Sequence, residues 1–100
     1  MVTIARPKFE LGRVVATPKS LSVLESSGQT PHELLRRHVH GDWGDLSEGD
    51  RDINEEALSD GSRILSAYIT SSGQKLWIIT EAVNDQGQRA STTILLPEEY

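Results

Sequence analysis

Arg63-Ile-Leu-Ser-Ala-Tyr-Ile-Thr70, the turn residues Ser71-Ser-Gly-Gln74 and Lys75-Leu-Trp-Ile-Ile-Thr-Glu81 form the stretch that decides the fold. Up to Gly61 the apolar residues recur at helical spacing. Beyond it the period is two, which places Leu65, Ala67 and Ile69 on one face of a strand over residues 63–70. The next segment is apolar on both faces through Leu76, Trp77, Ile78 and Ile79, as befits the middle of a sheet. Asn84-Asp-Gln-Gly87 makes a second turn, and a last strand runs from Ala90 to Leu96 until Pro97 ends it. These three strands predict an antiparallel meander.

Upstream of the meander the punctuation is helical. Arg13-Val-Val-Ala-Thr17 is a short β-branched strand that stops at Thr17-Pro18, a favoured helix start. The helix that follows has Leu21, Val23 and Leu24 on its apolar side and ends at Gly28. Thr30-Pro31-His32-Glu33 has capping-box spacing and opens a second helix that buries Leu34, Leu35 and His38 before Gly41. Ser47 opens a third, with Glu48 and Asp50 favoured by the helix dipole and Asp60-Gly61 closing it. At helical spacing Ile53 and Ala57 form its inner side, opposite Glu48, Asp52 and Glu55. The predicted class is α+β: one short N-terminal strand, three helices, then a three-stranded antiparallel meander. Residues 1–10 read as a flexible lead-in and residues 11–100 as a single domain, without repeats or internal linkers.

One hundred residues without a cysteine make one core with no disulfide and no thiolate metal site, a composition that suits a reducing cytoplasm. No apolar run approaches the length of a membrane span, and charged residues stand where a signal peptide would be apolar. The formal net charge of −5 is unevenly spread: residues 42–60 contain eight Asp/Glu and one Arg. Such a block repels phosphate backbones, which disfavours direct binding to nucleic acid and favours a basic protein partner. Oligomeric state is not legible.

Phe9 to Pro18, Arg37-His-Val-His-Gly-Asp-Trp-Gly-Asp-Leu46, Arg63 to Tyr68, Leu76 to Ala82, and Arg89 through the closing Leu95-Leu-Pro-Glu-Glu-Tyr100 carry a resemblance. Together they are similar to a family of small bacterial proteins carried on plasmids and integrating elements. The similarity covers nearly the whole chain, and it departs from the usual pattern at residues 83–88, where the turn is longer. The resemblance implies a mobile-element habitat and no particular mechanism.

Two functions follow as expectations. The first is a macromolecule-binding accessory protein of a mobile element that engages a host or competing-element protein, of the anti-restriction or anti-interference type. Its contacts would be Asp42, Trp43, Asp45, Glu48, Asp52, Glu55 and Glu56, with Trp43 at least half buried in its Gly/Asp loop. The second is a small metal-free ribonuclease on the sheet, with His38 or His40, Glu81 and Arg89 as acid–base pair and phosphate cation. A cross-strand ion pair between Glu81 and Arg89 is the plainer reading of those two residues. His38-Val-His40 with Asp42 and Asp45 supplies nitrogen and oxygen ligands, yet histidines at a helix end more often cap carbonyls, and no metal or cofactor is expected. The acids do not match the register of a calcium loop. Trp43, Trp77 and Tyr68 are read as core, and Arg36-Arg37 as too small a basic spot for a nucleic-acid footprint.

Overall fold

A computed structural model describes residues 6–100; Met1–Ala5, the first half of the expected lead-in, lie outside the described residues. The order is β1 (Arg13–Ala16), α1 (Pro18–Ser26), α2 (Pro31–Val39), α3 (Glu48–Asp60), β2 (Ile64–Ile69), β3 (Lys75–Thr80), β4 (Ser91–Leu95) and a closing 3-10 turn, Pro97–Glu99. The helices begin where their caps dictate. Thr17 Oγ1 accepts from Ser20 N (3.1 Å), Thr30 Oγ1 from Glu33 N (3.3 Å) and Ser47 Oγ from Asp50 N (3.2 Å). Gly61, at φ 81°, closes α3 in the left-handed conformation.

The α+β class holds, but the strands form one four-stranded mixed sheet in the order β1-β4-β3-β2. β2–β3 and β3–β4 are antiparallel, while β1 lies parallel to β4 in the register Arg13↔Ser91 to Ala16↔Ile94. The meander is therefore extended by the N-terminal strand. Parallel pairing needs a long crossover, which α1, α2, α3 and the two hairpins supply.

Ile64, Ser66 and Tyr68 of β2 face the helices, so the face shared by Leu65, Ala67 and Ile69 is the one turned away from them, and Ile69 is 53% exposed. One cluster joins Leu24 of α1 and Leu34 of α2 to Tyr68, Leu76, Ile78, Ile94 and Leu96. A second joins Trp43, Ala57 and Ile64, with Phe9, Leu46 and Leu58 packed against it. Phe9 stacks on Trp43 (6.1 Å) and meets His38 edge-on (5.0 Å), while Lys8 N donates to Val39 O (2.7 Å). Packing thus begins before residue 11, and Lys8 and Phe9 are not part of a loose leader.

The outer edge of β2 is covered by the protein itself. Asn54 of α3, 3% exposed, donates from Nδ2 to Leu65 O (2.6 Å) and accepts from Leu65 N at Oδ1 (3.2 Å). Ala67 N donates to Trp43 O (3.1 Å), and Ala67 O accepts from Asp45 N (2.6 Å). The edge has its hydrogen bonds taken by a helix side chain and a loop. Asn54→Ala should lower unfolding free energy by about 2 kcal/mol, read from the urea midpoint, because it leaves both Leu65 backbone groups without partners.

Candidate interaction surface

Trp43 anchors the loop between α2 and α3. It is 5% exposed, and its Nε1 donates to Glu55 Oε2 at 2.7 Å. The loop passes so close to β2 that a Cβ on Gly44 (φ +76°) would collide with Ala67 O. Tyr68 Oη donates to Asp42 O (2.6 Å), and burial pushes the phenol well above its ordinary range by penalising its charged form. The loop therefore docks on the sheet through its backbone and one indole.

That docking divides the expected contact residues. Asp42 accepts from Arg37 Nε (2.7 Å) and Nη2 (3.3 Å) and from Gly44 N (3.2 Å). The guanidinium holds its carboxyl below the usual carboxylate range, and Arg37 also lies over the Tyr68 ring (4.5 Å). Asp45 pairs with Lys75 at 3.4 Å. Both loop acids thus have internal counter-ions, and Trp43, a core residue, offers a partner little surface. Glu55 is exposed but serves the Trp43 indole.

Glu48, Asp50, Asp52 and Glu56 remain, all exposed on α3. Among the described residues, ion pairs join Arg37 to Asp42 and Lys75 to Asp45, and none reaches the helix acids. Arg51, the helix's own cation, donates to Leu46 O (3.1 Å) and Gly44 O (2.9 Å) and so holds the loop. Ile53 corrects the sequence reading. The helix buries Asn54 and Ala57, and Ile53 stands 58% exposed among the acids. Helical periodicity placed Ile53 on the Ala57 side, but the helix is rotated so that Asn54 reaches the strand edge. The missed signal is that Asn54, the one uncharged polar side chain between Ile53 and Ala57, could face inward only by meeting backbone groups.

The residues of the ribonuclease expectation are not assembled into an open site. His38 is fully buried, with Nδ1 2.5 Å from Ser66 Oγ and Nε2 2.8 Å from Thr80 Oγ1. Thr80 Oγ1 lies 2.7 Å from Thr92 Oγ1, which donates to Leu11 O at 2.7 Å. This chain fixes the protons. Thr92 spends its hydrogen on Leu11 O, so it accepts from Thr80; Thr80 then accepts from His38 Nε2–H, and Nδ1 accepts from Ser66. Burial, with a smaller contribution from Arg89, pushes the imidazole down to about 3, so it stays neutral. His38 is a structural tie between α2 and the sheet.

Arg89 is likewise an interior fastener. It is 7% exposed; Nη1 donates to Ser62 O (2.7 Å) and Glu81 O (3.0 Å), and Nη2 to Ala57 O (3.0 Å). It bonds the Glu81 carbonyl and not the exposed carboxylate, so the expected cross-strand ion pair is replaced by a tie from β4's lead-in to the end of α3. Of the remaining nitrogen and oxygen donors near the loop, His40 approaches Arg36 O with Nδ1 at 2.7 Å. Among the described residues no three His, Asp or Glu side chains are grouped to hold a metal ion, and no helix is long and apolar enough to cross a membrane.

No family model, no curated protein and no solved structure matches the chain.

Proposed function

We propose that this chain is a protein-binding accessory module of a mobile genetic element, and that the outward face of α3 receives a basic surface on a host or competing-element protein. The mobile-element setting, with its restriction or interference machinery as partner and the cytoplasm as location, rests on the sequence resemblance. One observation carries the binding reading: Ile53 stands exposed among Glu48, Asp50, Asp52 and Glu56, acids that no ion pair among the described residues neutralises. Arg63 lines the groove beside Ile53 and Asp50, so the patch is an apolar side chain with a predominantly acidic rim: the apolar residue supplies burial, and the rim steers and selects. The helix is held rigidly for that task by Asn54 and Arg51. Direct nucleic-acid binding is disfavoured by the same charge.

The test is a comparison of wild type with the triple variant Glu48→Lys, Asp52→Lys, Glu56→Lys. Glu55 is left in place because it holds the Trp43 loop. Captured from host lysate on the wild-type chain, a stoichiometric partner should bind the variant roughly 100-fold more weakly, and the wild-type complex should loosen as salt rises. Circular dichroism should be unchanged, since all three side chains are exposed. A partner held equally by both proteins would rule the helix out as the contact.

A further inference from the structure

We infer that β1 is a pairing edge for a second copy of this chain, joining two sheets into one across a two-fold axis. The two edges of the sheet are treated oppositely. At β2 the outward backbone groups of Leu65 and Ala67 are occupied by Asn54 and by the 43–45 loop. At β1, Arg13 N donates to Ala90 O (3.0 Å) and Thr17 N to Ile94 O (3.0 Å). In a parallel ladder the intervening Val14 and Ala16 then turn their N–H and C=O away from β4. Val14 and Val15 are 42% and 40% exposed, and Arg13-Val-Val-Ala16 contains no proline and no lysine to blunt the edge.

The geometry selects the occupant. Because the free groups belong to Val14 and Ala16, an antiparallel neighbour of the same sequence pairs Val14 with Ala16 of the second copy, and the reverse, with Val15 on the two-fold axis. This gives roughly four inter-chain hydrogen bonds, closed and self-complementary. In this register Arg13 lies opposite Thr17 of the second copy. Thr17 Oγ1 donates to Glu99 Oε1 at 2.7 Å, so a carboxylate stands at the end of β1 that the neighbour's Arg13 approaches. Lys19 is also near that carboxylate, so Arg13 shares it. Opposite charges thus meet at both ends of the paired strands.

Placement of the acidic helix favours the same edge. α3 contacts β2, the far end of the order β1-β4-β3-β2. Pairing through β1 therefore keeps the two acidic helices at the outer ends of an eight-stranded sheet, with the two β2 strands roughly 34 Å apart at about 4.8 Å per strand spacing. The inference stands apart from the reading of α3 as a docking face, which holds or fails for a single chain.

Sedimentation equilibrium on the full chain, from about 1 µM to about 1 mM, tests it. Wild type should pass from one-chain to two-chain mass. Val14→Pro removes an outward N–H without touching the ladder to β4, and should remain folded by circular dichroism and monomeric throughout. Arg13→Glu should weaken pairing about tenfold, and adding Glu99→Arg should restore it. As an independent readout, the Val14 and Ala16 amides should gain exchange protection as concentration rises in the wild type alone. A chain that stays monomeric at the highest concentration, a dimer that survives Val14→Pro, or a charge swap that restores nothing would overturn the inference.

Discussion

Between pH 6.5 and about 5 the free energy of unfolding should fall by roughly 1.5–2 kcal/mol, and on the order of 4 kcal/mol should be lost by pH 3 through His38 alone. The sign follows from proton binding. Folded His38 titrates at about 3 and the unfolded residue at 6.5, so between those values the unfolded chain holds the extra proton and acid favours unfolding. The stability is fully present above 6.5 and is lost as pH falls toward the folded value. Protonation would force a second donor hydrogen onto Nδ1, where Ser66 already donates, inside a site where the ring nitrogens meet hydroxyls and not carboxylates. Asp42, Asp60 and Glu99, whose carboxyls are held below their ordinary range by hydrogen bonds, add their own acid dependence at lower pH. Urea denaturation at pH 6.5 and 5 therefore isolates the histidine. In His38→Gln an amide can serve Ser66 and Thr80 without titrating; it should be less stable than wild type at pH 7 and nearly flat across the same interval. A wild-type slope as flat as the variant's would show that His38 is not buried neutral.

Arg89→Met should cost about 3–5 kcal/mol, a large share of the stability of a domain this size. Methionine fills much of the volume but leaves the carbonyls of Ser62 and Glu81 without the guanidinium donor and that of Ala57 with only the Gly61 N–H. Those of Ala57 and Ser62 flank the reversal from α3 into β2 and that of Glu81 follows β3, so one side chain ties two separate chain reversals. It also sits over the Phe9 ring at 5.8 Å, which anchors the segment leading to β1. The midpoint of thermal unfolding should drop by about 20 °C. Arg89→Lys should recover only part of the loss, because one ammonium on a flexible stem does not reproduce the planar fork. A loss under 1 kcal/mol for Arg89→Met would mean that water replaces the guanidinium at these carbonyls.

The interior roles of both residues are set by long-range packing. A histidine, a glutamate and an arginine on and beside a sheet are the raw material of acid–base chemistry, and nothing local distinguishes them from structural polar residues. Burial distinguishes them. His38 is held by hydroxyls on two strands, with Thr92 on a third behind Thr80, and the three come together only through the registers Ser66↔Ile78 and Thr80↔Thr92. A hint was present in those hydroxyl residues within otherwise apolar strands, but an inward direction could not be assigned before the strand pairing. The loop acids were similar: Asp42 and Asp45 looked like part of one acidic field until Arg37 and Lys75 were brought alongside them.

What the sequence determined by itself is what short-range chemistry controls. Thr17-Pro18, Thr30 with its partner amide at Glu33, Ser47 and Gly61 set the helix limits, because a cap and its amide are three residues apart and need no tertiary help. The switch to period two located the hairpin strands, and the Gly/Asp setting of Trp43 marked a loop pinned by a buried indole. Tertiary structure alone decided that β1 lies parallel to β4, that α3 turns Asn54 inward and Ile53 outward, and that His38 and Arg89 are interior ties. Each depends on contacts between residues far apart in the chain, where the need to pair a buried polar group outweighs the preference of an apolar side chain for the inner face.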